Sequence, residues 1–312
     1  MTTQQLVILG GTGFVGSHLV PRLAADGHRI VLLSRNRERH RALGVLPGVS
    51  VRSADVYDDD ALRRQLAGAD AAINLIGILN PGGLHTFQRA HVELARRLVA
   101  ACTSAGVPRL HQMSSLKAGQ GLSQYLKTRG EAEALVKASA LDWTIYQPSV
   151  IFGAGDGLVS RFAALLRRAP MLPLARAGTR MAPTWVGDVA EAIARCVGSD
   201  SLGRRRSFEL YGPEVLTLGE IVRRIRDGAS LRTPILALPD ALGRVQAQVA
   251  EYLPGKPFSL DNFRSLRTDS VGKHDGYAAL GIVPRAFSAG LPALLEPPRR
   301  QRRLDDWRAQ RR

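Results

Sequence analysis

The sequence predicts an α/β fold: a doubly wound parallel sheet with a smaller C-terminal lobe. Three observations carry that expectation. Short apolar runs alternate with helical patterns through the first half of the chain. The runs lack the apolar–polar alternation of a half-exposed strand, so the sheet should be covered on both faces. A glycine-rich turn then joins the first run to the first helix, and strand–helix alternation of this kind builds parallel sheets.

The elements follow in order. QLVILG (5–10) and HRIVLLSR (28–35) read as the first two strands. VSVRSADV (49–56), AAINLIGIL (71–79), RLHQMSS (109–115) and LDWTIYQPSVIFG (141–153) read as the next four. Helices are expected over 14–26, 58–67, 86–105 and 124–139. Gly27 suits a helix C-terminus, whereas Pro21 conflicts with the helix around it because it lacks an N–H. Beyond residue 153 the rhythm changes. A helix begins near Leu158 and runs into proline-rich chain, another covers 184–197, and RSFELYG (206–212) is a strand. A helix over 217–228 opens with the capping box Thr217–Glu220. The expected division is 1–153 as the first domain, 154–297 as a lobe with elements returning to it, and 298–312 as a basic tail.

Composition narrows the class. With 45% hydrophobic and 22% charged residues among 312, the chain is globular. No apolar run approaches the roughly 20 residues of a spanning helix, and the start of the chain has no charged leader or cleavage site. The expected compartment is the cytoplasm. Cys102 and Cys196 fall on helices without metal-ligand neighbours and read as buried thiols. His85, His91 and His111 form no ligand cluster and read as satisfied or exposed, so no metal site is expected. The net charge of +16 is partly placed in RRQRRLDDWRAQRR, with seven arginines against two aspartates. Such a tail suits an anionic membrane surface or an acidic partner, or is simply solvated. No motif supports specific nucleic-acid binding.

LVILGGTGFVGSHL is the most informative stretch. Gly10, Gly11, Gly13 and Gly16, with Thr12, Phe14 and Val15 between them, follow a strand and open a helix. The glycines allow a tight turn and close backbone approach, and the helix amides favour a pyrophosphate. This is a Rossmann-type dinucleotide site. At the end of the second strand an acid would hold the ribose hydroxyls of NAD(H). Ser34, Arg35 and Asn36 stand there instead, with Arg37 and Arg39 beyond, which favours the 2′-phosphate of NADP(H) over NAD(H).

These residues resemble the short-chain dehydrogenases/reductases of the extended or atypical kind. The resemblance implies adenine contact at Asp55 and Val56, cofactor contact at Asn74 and Gly77, and nicotinamide contact at Pro148 and Ser149. Longer blocks between Trp143 and about Leu266, among them WTIYQPSVIFGAGDGLVSRF and YLPGKPFSLDNFRSL, resemble the nucleotide-binding accessory subunit of respiratory complex I and its bacterial relatives. They also resemble proteins associated with ubiquinone biosynthesis. A respiratory complex, or a peripheral position at the inner membrane, is the partner this implies.

The family's catalytic pattern is Tyr-x-x-x-Lys, but here Tyr125 is followed at i+4 by Arg129. Both side chains share one helix face. An arginine lowers a phenol pKa through its charge but does not give up a proton. Lys127 sits about 200° round the helix from Tyr125 and should point elsewhere. Ser114 or Ser115, ending the fifth strand, would supply the third hydroxyl. Three readings remain open: nucleotide binding with little or no turnover, an active NADP-dependent reductase of a quinone- or isoprenoid-like carbonyl, and a redox-sensing regulator. Asp156 reads as a shaper of the loop over the nicotinamide or as a turn residue. Asp188 reads as a favourable charge at a helix N-terminus.

Overall fold

The computed structural model describes residues 3–83, 86–252 and 258–295; the expectations for His85 and for the tail lie outside them, as does the side chain of Arg39. The first half supplies β1 (Gln5–Leu9), α1 (Phe14–Ala25), β2 (Arg29–Ser34), β3 (Val49–Ser53), α2 (Asp59–Leu66) and β4 (Ala71–Asn74). It continues with α3 (Leu94–Ala105), β5 (Arg109–Met113), α4 (Gln124–Lys137) and β6 (Asp142–Pro148). Then come β7 (Ile151–Phe152), α5 (Val159–Arg168), β8 (Leu172–Ala175), β9 (Arg180–Met181), β10 (Thr184–Trp185), α6 (Val186–Val197) and β11 (Arg206–Leu210). The chain closes with β12 (Leu216–Thr217), α7 (Leu218–Gly228), β13 (Ile235–Leu238), α8 (Asp240–Ala250), α9 (Leu260–Ser265), α10 (Gly276–Ala279) and α11 (Phe287–Leu295).

Seven strands form one parallel sheet in the order β3-β2-β1-β4-β5-β6-β11. The order reverses between β1 and β4, and the crevice at such a switch point is where open α/β sheets bind ligands. Burial on both faces follows from the period of two. Leu6 and Ile8 face the layer holding Leu19, Leu23 and Ile193, from α1 and α6. Val7 and Leu9 face the layer holding Leu62, Leu98 and Val136, from α2, α3 and α4. Cys196 and Cys102 lie one in each layer, as buried free thiols; burial pushes Cys102 up to about 12. β11 returns to the edge of the sheet beside β6. A third cluster, including Leu166, Ile225 and Phe287, joins α5, α7 and α11.

Local departures from expectation have physical causes. α1 runs unbroken through Pro21, whose missing donor falls on the exposed side. β4 stops at Asn74 because its Oδ1 accepts the Ile76 amide at 3.1 Å and turns the chain. The strand expected over 141–153 divides: Ser149 donates its amide to Leu210, after which Ile151–Phe152 pair with β10 instead. The helix expected from 86 contains a π-helical segment, Gln88–Glu93, before α3. Gly27 is left-handed at φ +82 just after α1, and the Thr217–Glu220 capping box is formed in full.

Candidate functional site

The glycine turn leaves β1 and enters α1 at the switch point. Gly10 adopts φ +75, and a Cβ there would lie 2.9 Å from the Ile76 amide nitrogen. A Cβ on Gly16 would strike the Gly11 backbone, so the start of α1 rests directly on the turn. Gly13 is the N-cap in extended conformation and donates its amide to Gly10 O at 3.0 Å. α1 has no side-chain cap and no acid in its first turn. The amides of Phe14, Val15 and Gly16 therefore begin a helix whose positive end is left for a ligand. The 153–155 loop lies over this end: Ala154 O is 2.9 Å from the His18 ring nitrogen, and Gly155 borders Phe14. Asp156 holds that loop by accepting the Gly153 and Ser160 amides. A turn packed too closely for side chains at Gly10 and Gly16, with uncapped amides at the start of α1, fits a dinucleotide pyrophosphate.

At the ends of β2 and β3, Ser34 Oγ accepts the Asn36 amide at 3.2 Å. Arg35 is exposed there, within electrostatic reach of Tyr57. Asp55 is exposed and accepts the Tyr57 amide at 3.0 Å, and Val56 beside it is buried. Arg89 stacks on the Tyr57 ring at 4.3 Å. Asn74 is committed to the fold: its amide donates to Gln112 Oε1 at 3.0 Å. Ser149 donates to Ser270 O at 2.8 Å, and Pro148 O accepts the Leu116 amide.

α4 carries the other end of the site. Ser123 caps it through the Leu126 amide, and Asp261 of α9 accepts the Gln124 and Tyr125 amides at 2.7 and 3.0 Å. Tyr125 and Arg129 do share a face, with the guanidinium carbon 5.5 Å from the ring centroid. Arg129 is buried, donates to Met113 O at 2.9 Å and lies against Gly77, where a Cβ would collide with it. The arginine thus spans the ends of β4 and β5. Tyr125 is half-buried, edge-on to Phe87 and His91, and among the described residues its hydroxyl has no partner. Lys127 is exposed, away from this cluster.

The two candidate serines behave differently. Ser114 donates to Glu133 at 2.6 Å, and Glu133 also receives Gln147 and Lys137. Ser114 is therefore already occupied within α4's network. Ser115 Oγ is buried without a partner among the described residues, and so are Arg129 Nε and His91 Nε2. Unsatisfied buried polar atoms are uncommon and mark a place where a ligand or water completes the bonding.

The histidine expectation needs correction. His91 and His111 are buried, yet each satisfies only one ring nitrogen, through Thr128 and Tyr146 respectively. Thr128 gives its own proton to Gln124 O at 2.8 Å, so His91 carries its hydrogen on Nδ1 and offers a bare Nε2. Burial, reinforced by the Arg129 charge, lowers His91 to about 2. Sequence reading missed His91, Glu133 and Asp261 as site-building residues. The π-helical segment and the 136-residue separation of Asp261 from Tyr125 leave no local signal. Asp188 sits in the first turn of α6, as expected, and also accepts the Arg285 amide at 2.6 Å.

Comparison with known proteins agrees with this geometry. The NAD(P)H-binding family profile matches residues 10–160. The ceramide reductase of Caulobacter vibrioides is 30% identical over 236 residues, 75% of this chain and 74% of the reductase. The chain belongs to the atypical short-chain dehydrogenase/reductase family. This short-chain dehydrogenase relative is also 28% identical over 295 residues to subunit 9 of the mitochondrial NADH dehydrogenase (ubiquinone) 1 alpha subcomplex of Arabidopsis thaliana, covering 89% of this chain and 73% of that one. In fold it matches the NADPH-dependent quinone oxidoreductase of Escherichia coli at TM-score 0.74, with 20% identity over 93% of this chain and all of that one. Among its described residues no helix is long and apolar enough to cross a membrane.

Proposed function

We propose that this NAD(P)H-binding protein prefers NADP(H), serves respiratory or quinone metabolism, and binds the nucleotide with little or no turnover. The observation that carries the reading is Arg129. It is buried, tied to Met113 O and laid against Gly77, so it fixes the space between the β4 and β5 ends but does not relay a proton. The turn at Gly10–Gly16 and the first amides of α1 would hold the pyrophosphate, and Arg35 with Ser34 the 2′-phosphate. Asp55 and Val56 would meet the adenine, and Gly77, Pro148 and Ser149 the nicotinamide side. Reduced nicotinamide, when bound, supplies hydride. The respiratory link draws on the plant complex subunit. The basic 298–312 segment would bring the chain to an anionic membrane surface or an acidic partner.

A second reading, an active reductase, is favoured by the Tyr125 hydroxyl, which has no partner among the described residues, and by the ceramide reductase relative. Tyr125 would then protonate a carbonyl oxygen, with Arg129 stabilising the phenolate left behind and Ser115 placing the substrate. One experiment separates the two. Binding of NADPH and NADH is measured by nucleotide fluorescence, then NADPH oxidation is followed with extracted membrane lipids and quinones, for wild type and Tyr125→Phe. The proposal expects saturable binding, NADPH about tenfold tighter than NADH, and no Tyr125-dependent oxidation. Oxidation that falls about 10²–10⁴-fold in Tyr125→Phe would establish the reductase instead.

A further inference from the structure

α8 is amphipathic in the reverse of the usual sense. Its inner face is small: Ala247 and Ala250 are buried, and a Cβ on Gly243 would lie 2.9 Å from Ala175 Cβ and 3.1 Å from the Phe263 ring. The helix is pressed so closely onto β8 and α9 that no large side chain fits beneath it. Its large apolar residues face outward. Leu242, Val245 and Val249 recur at i, i+3 and i+7, and Tyr252 continues the stripe just past the helix end; each is more than half exposed. Leu236 of β13 and Met171, next to β8, are also more than half exposed, and the two strands pair in parallel alongside α8. Apolar side chains exposed together in this way mark an interaction surface.

The charges around the stripe identify what covers it. Arg244 is exposed on α8 itself, Arg167 and Arg168 close α5 just ahead of Met171, and Arg232 precedes β13. None of the four has a carboxylate partner among the described residues. The neighbouring acids are engaged: Asp240 pairs with Arg176 at 2.7 Å, and Glu251 accepts the Leu260 amide at 3.0 Å. Apolar residues flanked by unpaired arginines match a bilayer, which offers hydrocarbon beneath a layer of phosphate. A second copy of this +16 chain would bring like charge against like.

We propose that the outer face of α8, with Leu236 and Met171, docks on an anionic lipid bilayer. This rests on the reading that the chain works at a membrane surface, but assigns the contact to a folded face in addition to the 298–312 segment. The face is joined to the nucleotide site through α9, whose Asp261 caps the helix carrying Tyr125.

The test is co-sedimentation of the full chain with phosphatidylcholine vesicles and with vesicles containing equal parts of phosphatidylglycerol. Wild type, the triple variant Leu242→Ser/Val245→Ser/Val249→Ser, Arg232→Glu/Arg244→Glu and a 298–312 deletion are compared. Wild type should sediment with the anionic vesicles. The triple variant should lose at least tenfold in partitioning with NADPH binding unchanged, and the charge variant should lose binding that wild type retains at low salt. Triple-variant binding equal to wild type would overturn the proposal; if the deletion alone then abolished binding, the tail reading would stand. Loss in the triple variant but not in the deletion would do the reverse. No vesicle binding by wild type would refute both, and self-association abolished by the triple variant would then assign the face to a second copy. Val249→Cys labelled with an environment-sensitive dye gives an answer that does not depend on how well the triple variant folds, because Cys102 and Cys196 are buried. A blue shift on anionic vesicles is expected, and an unchanged spectrum would overturn the proposal.

Discussion

The two ends of the nucleotide crevice are built by different means. At the glycine turn, backbone does everything: a left-handed Gly10, an α1 seated on Gly11, and amides without a side-chain cap. No residue from Gly10 to Gly16 titrates. At the Tyr125 end, side chains from three elements converge. Arg129 and Thr128 come from α4, His91 from the π-helical segment, and Asp261 from α9. A backbone site has few ways to vary, because each atom is fixed by the turn that makes it. A side-chain site can keep its tyrosine and exchange the partner, and here the partner is an arginine that bonds the protein.

Gly16→Ala should produce the largest effect. The added methyl meets the Gly11 backbone, and overpacking of this kind costs about 1–3 kcal/mol. NADPH affinity should fall on the order of 100-fold by fluorescence titration, with a lowered melting temperature. Unchanged binding would mean that the turn is not the cradle.

Acid should act on the side-chain end and the sheet beneath it. The ordinary histidine value is 6.5, whereas burial holds His91 near 2 and His111 near 3. Above pH 6.5 both the folded and unfolded states are neutral, and the folded state keeps its full stability. Below it the unfolded chain takes up protons that the folded chain refuses, so stability falls with pH until the folded values are reached. Each histidine should remove about 1.4 kcal/mol per pH unit over that window. Urea unfolding at pH 7 and pH 5 should register the loss, and His91→Gln should have a shallower pH dependence than wild type. Equal slopes would place His91 in contact with solvent.

Arg129→Lys sharpens the contrast by restoring the family pattern. It removes one of the two donors to Met113 O, the other being Gln112 Nε2, and should cost about 1 kcal/mol of unfolding free energy, read as a lower urea midpoint. If the arginine is what suppresses turnover, NADPH oxidation against the extracted lipid and quinone pool should rise about tenfold. No gain in rate would move the block elsewhere. Asp261→Ala should have the smallest effect. It removes a helix cap donated by α9 and should cost about 1 kcal/mol, read as a small drop in melting temperature with NADPH binding within twofold.

Much of this protein was legible in its sequence for reasons of short range. Apolar runs of strand length, a glycine turn after the first of them and Thr217–Glu220 at a helix start each express contacts between near neighbours. The doubly wound sheet and the pairing of Tyr125 with Arg129 on one helix face follow from them. The breaks at Asn74 and Ser149 were not legible, because each depends on a hydrogen bond that tertiary neighbours permit.

By itself, then, the sequence determined the fold class, the glycine turn and the substitution of arginine for lysine, all of which rest on local periodicity and spacing. Tertiary structure alone decided that Ser114 is claimed by Glu133 while Ser115 is left without a partner, and that Arg129 reaches Gly77 and Met113. It also decided that Asp261 caps a helix 136 positions away and that α8 turns its large apolar residues outward. Those outcomes depend on which surfaces the folded chain brings within a few ångströms, and side-chain hydrogen bonds and close packing are won or lost over that distance.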